Sequence, residues 1–220
     1  MARTIVKICG ISTPDTLEAT IGAGADFVGF VFFEKSPRHI ALETAAALGA
    51  QAAGRIRKVA LSVDADDDAL AQIVAALAPD MLQLHGAETP ARVAAVKARF
   101  GLPVIKAIGV ASAEDVAASR AYDDIADILL FDAKPAPGAS VPGGAGVAFD
   151  WTLLRDIRAP NWMLSGGLDP DNVAEALRLT QAPAVDVSSG VERARGVKDN
   201  AKIAAFAAAV RSLSSDRATV

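Results

Sequence analysis

Short apolar runs rich in β-branched residues alternate with longer alanine- and leucine-rich stretches along the whole chain. The short runs are nearly continuous in apolar character, which is typical of strands whose two faces are both buried in a parallel sheet. The pattern therefore predicts eight strands separated by helices. The predicted strands are Thr4–Ile8, Asp26–Phe33, Lys58–Val63, Asp80–His85, Pro103–Ile108, Ile128–Asp132, Asn161–Ser165 and Ala184–Ser188.

Helix-start signals lie between the predicted strands. Thr13–Asp15 and Thr89–Pro90 each place a capping hydroxyl directly before a proline, and Asp169–Pro170 repeats the pattern with a carboxylate. At Ser112–Asp115 a capping serine precedes two acidic residues, which the helix dipole favours in the first turn. Asp66–Asp68 leads into an apolar stripe at helical spacing. Strand and helix thus alternate through the chain.

Eight strand–helix units in one chain favour a closed (β/α)₈ barrel, and we expect one barrel domain over residues 1–213 with a tail at 214–220. An open doubly wound sheet is the competing fold. The turn after the first strand, Cys9–Ser12, lacks the glycine pattern of a dinucleotide-binding fold, and no Walker-type phosphate loop is present. The proline- and glycine-rich segment Lys134–Gly146 is the one long loop. A loop of this length in a compact domain more often has a function than serves as a flexible surface insertion.

Composition excludes several classes of protein. The 220 residues carry a formal net charge of −4 without a basic block, which argues against a nucleic-acid partner and against a polybasic membrane anchor. One cysteine and two histidines cannot form an internal disulfide or an ordinary transition-metal site, so we expect no metal and no cofactor. No apolar run is long enough to span a membrane, and we expect a cytoplasmic protein, either a monomer or a homodimer.

Reactive side chains collect at the predicted carboxyl ends of the strands, where barrel enzymes place their active sites. Cys9 ends the first strand and Asp132 the sixth, and they are candidates for a general base and a general acid. Their structural alternatives are a small buried hydrophobe and a loop cap. His85 ends the fourth strand and is a further candidate, with a structural histidine as the alternative. Arg38 is either a surface residue or a clamp for a carboxylate or phosphate.

Two glycine- and serine-rich turns follow the last two strands. Glycines allow backbone N–H groups to face an anion, and the loops after strands seven and eight are the usual phosphate site of this barrel. The alternative is a pair of tight turns without a ligand. We expect a phosphorylated small-molecule substrate, bound by Gly166, Gly167, Ser188, Ser189 and Gly190.

With these residues, the chain resembles the phosphoribosylanthranilate isomerase family over nearly its whole length. The matching segments are Val6–Ile11, Phe32–Arg38, Gln83–Gly86, Phe131–Lys134, Gly143–Trp151, Leu164–Leu168, Val185–Glu192 and Lys198–Asp199. One departure is Ala145, where the family usually has threonine.

The resemblance implies an Amadori rearrangement of N-(5-phosphoribosyl)anthranilate. Asp132 matches the acid that protonates the ring oxygen, and Cys9 matches the base that removes the proton from C2 of the sugar. Arg38 matches the residue that contacts the anthranilate carboxylate, whereas His85 and Asp186 match positions near the substrate. A thiol with an ordinary pKa near 8.5 needs only a modest downward shift to serve as this base.

Two alternatives remain at the level of sequence. Another phosphosugar barrel, such as an indole-glycerol-phosphate synthase or a ribulose-phosphate epimerase, would need a lysine acid or a histidine-bound metal. A non-catalytic phosphate binder would keep the glycine-rich turns but would not need Cys9 and Asp132 together.

Overall fold

The computed structural model describes residues 3–135, 148–157, 159 and 161–216, with side chains described as far as residue 213. Most of the predicted long loop Lys134–Gly146, including Ala145, lies outside the described residues, and so does the end of the predicted tail.

Eight parallel strands close into a barrel in sequence order, with β1 paired to both β2 and β8. This confirms the predicted (β/α)₈ barrel and excludes the open doubly wound sheet. The strands are β1 Ile5–Cys9, β2 Phe27–Phe32, β3 Arg57–Ser62, β4 Met81–Leu84, β5 Val104–Val110, β6 Ile128–Ala133, β7 Trp162–Leu164 and β8 Ala184–Val187.

Helices connect most of the strands. They are α1 Pro14–Gly22, α2 Leu42–Ala52, α3 Asp67–Leu77, α4 Pro90–Phe100, α5 Ala113–Ala118, α6 Val173–Thr180 and α7 Asn200–Asp216. Single 3₁₀ turns span Ser119–Tyr122, Trp151–Leu154 and Ser189–Val191, and a short hairpin, β9 Glu192–Ala194 and β10 Val197–Lys198, follows the last of them. Helix α7 continues three residues past Leu213, so the proposed domain boundary there remains a prediction. In the described part of the chain, no helix is long and apolar enough to cross a membrane.

The helix caps follow the sequence signals in most cases. Thr13, Asp66 and Thr89 each accept a hydrogen bond from the backbone N–H three residues ahead, which satisfies one of the unpaired donors of the first turn. Gly101 ends α4 in the left-handed conformation with φ of 64°, which glycine adopts readily.

One helix start was wrong. The pair Asp169–Pro170 predicted the beginning of α6, but the helix begins at Val173. The Asp169 carboxylate accepts from the backbone N–H groups of Asp171 and Asn172, so these residues form a turn of their own. The side-chain amide of Asn172 then donates to the Gly167 carbonyl at 2.8 Å. This extra turn therefore braces the glycine turn that follows β7.

The barrel interior is layered. A cluster with residues from seven of the strands, β2 to β8, fills its lower part: Phe27, Val59, Met81, Ile105, Ala107, Leu130, Met163 and Ala184. Because side chains alternate along a strand, residues two positions further on face the same interior. That places Gln83 above Met81, Asp132 above Leu130 and Asp186 above Ala184. The interior thus changes from apolar to polar towards the carboxyl ends of the strands.

Candidate active site

Cys9 lies at the mouth end of β1 and is only 4% exposed. It packs against Val31 and Leu61 from β2 and β3. Gly29 of β2 is a further neighbour, and a Cβ atom at this position would lie 2.7 Å from the Cys9 sulfur. A side chain at Gly29 would therefore displace the thiol, and the glycine keeps the space that the thiol occupies.

A buried cation lies below Cys9. Lys7 is completely buried, and its ammonium donates to the Asp186 carboxylate at 2.8 Å. Burial alone would lower the pKa of Lys7, but the charges of Asp186 and Cys9 outweigh it and raise the pKa above the ordinary value. Lys7 therefore stays an ammonium ion, which can stabilise a thiolate two residues further along the strand.

The pKa of Cys9 is raised, whereas a base near neutrality would need a modest downward shift. Burial is the main cause, and the charge of Asp186 adds to it, while Lys7 and Lys198 pull the pKa down without compensating fully. The thiolate is disfavoured because a charged sulfur in this position is cut off from water. In the substrate-free protein, Cys9 is thus a thiol, and the charges of Lys7 and Lys198 stabilise its ionised form.

Asp132 lies near the end of β6, across the barrel mouth from Cys9. Strands β7 and β8 lie between β6 and β1. One of its carboxylate oxygens accepts the backbone N–H of Ala133 at 2.8 Å, and the other lies 3.3 Å from Nε2 of His85. The opposite nitrogen of that imidazole, Nδ1, lies 2.9 Å from the side-chain nitrogen of Gln83. The carboxylate thus meets one backbone donor and one histidine.

Arg38 is not a surface residue, since it is only 5% exposed. Its Nε and one terminal nitrogen donate to the two carboxylate oxygens of Glu192, at 2.7 and 2.9 Å. The aliphatic part of the side chain crosses Gly10, where a Cβ atom would lie 2.7 Å from Cδ of Arg38. A bidentate pair of this kind fixes the plane of the guanidinium next to the end of β1.

Lys198 joins this pair to the turn after β8. Its ammonium donates to Glu192 at 2.8 Å, to the Ser188 carbonyl at 2.9 Å and to the Ser188 hydroxyl at 3.1 Å. Burial tends to raise the pKa of Glu192, but the hydrogen bonds of Arg38 and Lys198 and the charge of Lys198 lower it to about 2. Glu192 is therefore an anion that ties the arginine to the last βα turn.

The two predicted phosphate turns lie against each other. Gly166 and Gly167 have φ values of 84° and 70°, a conformation that favours glycine. A Cβ atom at Gly190 would lie 1.9 Å from the Leu168 carbonyl oxygen, and one at Gly166 would lie 2.6 Å from the nitrogen of Ala133. The glycines thus allow the turns after β7 and β8 to approach each other and the Asp132 strand end.

The structure brings the predicted site residues to one end of the barrel, with Cys9, Asp132, His85 and Asp186 facing its interior. Lys7, Gln83 and Lys198 received no role from the sequence, although all three are buried. A signal was available for the first two, because a lysine and a glutamine interrupt strands that were predicted to be apolar on both faces. Over the described ranges, no group of three or more potential metal-ligating side chains is present.

A closed (β/α)₈ barrel with an acid, a thiol and a buried arginine around its mouth has the architecture of a barrel enzyme. The family model "N-(5'phosphoribosyl)anthranilate (PRA) isomerase" matches residues 6–209, and the chain belongs to this family. The resemblance inferred from the motifs is thereby confirmed, and another phosphosugar barrel is not favoured.

Sequence relatives and solved structures agree with this family assignment. The chain is 58% identical to N-(5'-phosphoribosyl)anthranilate isomerase of Rhodopseudomonas palustris strain HaA2, over 94% of this chain and 95% of the relative. It is 54% identical to that of Beijerinckia indica, over 97% of each. The Thermotoga maritima enzyme is 33% identical with a TM-score of 0.85, covering 96% of this chain and all of that one. A further isomerase structure, with bound reduced 1-(o-carboxyphenylamino)-1-deoxyribulose 5-phosphate, is 32% identical with a TM-score of 0.82, at the same coverage.

Proposed function

We propose that this chain isomerises N-(5'-phosphoribosyl)anthranilate to 1-(2-carboxyphenylamino)-1-deoxyribulose 5-phosphate, with Asp132 as general acid and Cys9 as general base. The observation that carries the assignment of roles is their placement on opposite sides of one barrel mouth, at the ends of β6 and β1. The reaction moves protons at two points of one sugar, so it needs two groups separated in this way.

Ring opening is the first step. Asp132 donates its proton to the furanose ring oxygen, the bond from that oxygen to C1 breaks, and the nitrogen lone pair forms the C=N bond of a protonated Schiff base. Negative charge then develops on Asp132, where the Ala133 N–H and His85 are already in place. Donors that await a developing charge lower the barrier more than donors that must reorganise.

Proton removal from C2 is the second step. The Cys9 thiol first gives up its own proton to solvent, and the thiolate then takes the proton from C2. The C–H electrons form the C1=C2 bond, and the iminium nitrogen becomes the neutral nitrogen of an enolamine. The enol at C2 becomes the ketone as its O–H proton leaves to solvent and C1 gains a proton. The ammonium groups of Lys7 and Lys198 act on Cys9 in favour of the thiolate, which offsets part of the cost of burial.

Binding at both ends would hold the sugar between the two groups. We assign the phosphate to Gly166, Gly167, Ser188, Ser189 and Gly190, and the anthranilate carboxylate to Arg38. Glu192 supports the second assignment because it fixes the orientation of the guanidinium. His85 and Asp186 face the interior between these ends, next to Asp132 and Lys7 respectively, and we assign them to the substrate as well. Fixing both ends of a substrate aligns the reacting atoms and lowers the entropic cost of reaction.

The proposal extends to the surroundings of the enzyme. The chemistry needs neither a redox step nor a metal, so we propose an enzyme without a cofactor. The acidic balance of the chain supports a small-molecule partner and no nucleic acid or membrane. We propose a cytoplasmic enzyme, either a monomer or a homodimer; a Thermotoga maritima relative is described as dimeric.

A direct assay tests the function. Purified protein is expected to consume the fluorescent anthranilate–sugar substrate, and the gene is expected to restore growth to a tryptophan-requiring strain that lacks only this isomerase. The double variant Cys9→Ser, Asp132→Asn is the matched control, because it keeps the barrel and both anion sites. Substrate binding without turnover in the parent protein would instead support the non-catalytic phosphate binder.

A further inference from the structure

Gln83 is a buried polar residue that has no role in the reaction as described. It lies on β4, completely buried, and faces the barrel interior two residues beyond Met81. The ladder pairs it with Leu61 of β3 and Ile105 of β5, so its backbone is held from both sides. Its side-chain nitrogen lies 2.9 Å from Nδ1 of His85, and in the described part of the chain its amide oxygen has no hydrogen-bond partner.

An amide nitrogen can only donate a hydrogen bond, so the ring nitrogen opposite it must accept. A neutral imidazole that accepts at Nδ1 carries its proton on Nε2, and that nitrogen faces the Asp132 carboxylate at 3.3 Å. We propose that Gln83 is a positioning residue that holds His85 in the Nε2–H tautomer, so that the histidine presents a donor to Asp132.

The opposite orientation of the amide makes a different site. With the Gln83 oxygen facing His85, the proton would move to Nδ1, and the bare Nε2 would face the Asp132 carboxylate lone pair to lone pair. That arrangement is repulsive whenever Asp132 is ionised. The orientation found here instead gives Asp132 a donor at the moment it becomes a carboxylate. A separation of 3.3 Å is long for this bond, but catalytic hydrogen bonds of unliganded sites often shorten with substrate.

The catalytic consequence rests on the proposed role of Asp132 as the acid, whereas the tautomer itself does not. A donor that meets the carboxylate as its proton leaves acts on the transition state more than on the bound substrate. Loss of Gln83 should therefore lower kcat, with little effect on KM. Hydrogen bonds to charged groups predict a loss of about tenfold or more.

Nitrogen NMR of the imidazole tests the tautomer without any substrate. The chain has two histidines, His39 and His85, so ¹⁵N-histidine labelling yields two sets of ring signals, and His39→Gln assigns them. Spectra are recorded at alkaline pH, because a tautomer is defined only for the neutral imidazole. The expected result is that the His85 proton sits on Nε2. A proton on Nδ1 in the parent protein would overturn the proposal.

Two variants of similar size separate Gln83 from its surroundings. In Gln83→Met the donor is lost, and the His85 signals are expected to move to those of a mixture of tautomers. In Gln83→Glu the carboxylate can only accept, so Nδ1 is expected to carry a proton that it lacks in the parent protein. Ser62→Ala removes another buried polar group from the neighbouring strand and is expected to leave the tautomer unchanged.

The activity measurements keep the two proposals distinct. If Gln83→Met retains the parent tautomer, Gln83 does not set it, and the inference fails whatever happens to kcat. A parent protein that shows the Nε2–H tautomer but no isomerase activity would contradict the proposed function alone. If Gln83→Met does not fold, the parent spectrum and Gln83→Glu still decide the question.

Discussion

Carboxylates occupy both ends of this barrel, but their partners differ. At the amino end, an aspartate lies just before β2, β4 and β6. Each of the three accepts a hydrogen bond from a backbone N–H at the start of the preceding strand. The pairs are Asp26 with Val6 at 2.9 Å, Asp80 with Lys58 at 2.7 Å and Asp127 with Val104 at 2.7 Å. At the carboxyl end, Asp186 and Glu192 are buried and are paired with the side chains of Lys7, Arg38 and Lys198.

The difference distinguishes two ways in which this fold uses a carboxylate. A bond from a carboxylate to a strand backbone strengthens the ladder. Asp26 and Asp127 also meet a cation, Arg3 and Lys97 respectively, but both of these cations reach water. A buried carboxylate that relies on charged side chains is costly to assemble, but it holds those side chains in the one orientation that suits a ligand. The repeat at the amino end, on alternate strands, therefore holds strand backbones, whereas the irregular set at the mouth fixes the side chains around the proposed substrate site.

The largest effect is expected from the proposed proton carriers. Cys9→Ser and Asp132→Asn should each lower kcat by about 10² to 10⁴, with a smaller change in KM, because both groups act as protons move. Both substitutions keep the size of the side chain, so thermal unfolding should stay close to that of the parent. Steady-state kinetics and circular dichroism on the same samples measure the two properties. A Cys9→Ser enzyme within about threefold of the parent kcat would reject the thiol base.

Glu192 should make the mouth acid-sensitive. Its pKa of about 2 lies below the ordinary 4.5, so its stabilising effect is present above pH 4.5 and is lost as the pH falls towards 2. The shift corresponds to about 3 kcal/mol of unfolding free energy. Denaturant unfolding across this pH range should show that loss in the parent and a flatter profile in Glu192→Gln. An equal loss of unfolding free energy with falling pH in the two proteins would contradict this role of Glu192.

Phosphate should stabilise the mouth through its glycine turns. At 100 times its dissociation constant, inorganic phosphate is expected to raise the unfolding free energy by about 2.7 kcal/mol. Gly166→Ala should abolish the rise, because its Cβ would lie 2.6 Å from the Ala133 nitrogen.

Gly54→Ala is the matched control for the phosphate prediction. Gly54 also has a positive φ, of 71°, but it lies between α2 and β3 at the amino end and has open space around it. Its substitution should cost some stability and leave the phosphate response intact. A phosphate response that persists in Gly166→Ala would count against the turn after β7 as part of the anion site.

The smallest effect is expected at the amino end. Asp127→Ala removes the acceptor for the Val104 N–H and for the Lys97 ammonium, at 2.7 and 3.0 Å. The expected loss is about 1 to 2 kcal/mol of unfolding free energy, with kcat and KM unchanged. Chemical denaturation and the isomerase assay check both. A fall in kcat of about tenfold would show that the two ends are not separate in function.

Local signals explain why the fold could be predicted. Strands buried on both faces have continuous apolar runs, and helix starts have capping residues, so each element is encoded in a few neighbouring residues. The exception is instructive. Asp169–Pro170 looks like the other helix starts, yet its carboxylate caps a separate turn that braces Gly167. The Asn172 side chain is bonded back to the Gly167 carbonyl, so this segment forms its own turn before the helix begins.

The sequence by itself determined the barrel, most of the caps, and the placement of Cys9 and Asp132 at strand ends, because strand periodicity and chain order are enough for these. Only the tertiary structure decided the environment of those groups. Lys7 meets Asp186, 179 residues away, because closure of the barrel pairs β1 with β8 in that register. The same closure buries Cys9 and raises its pKa. Burial and charge pairing depend on which distant strands become neighbours, and a linear pattern does not contain that information.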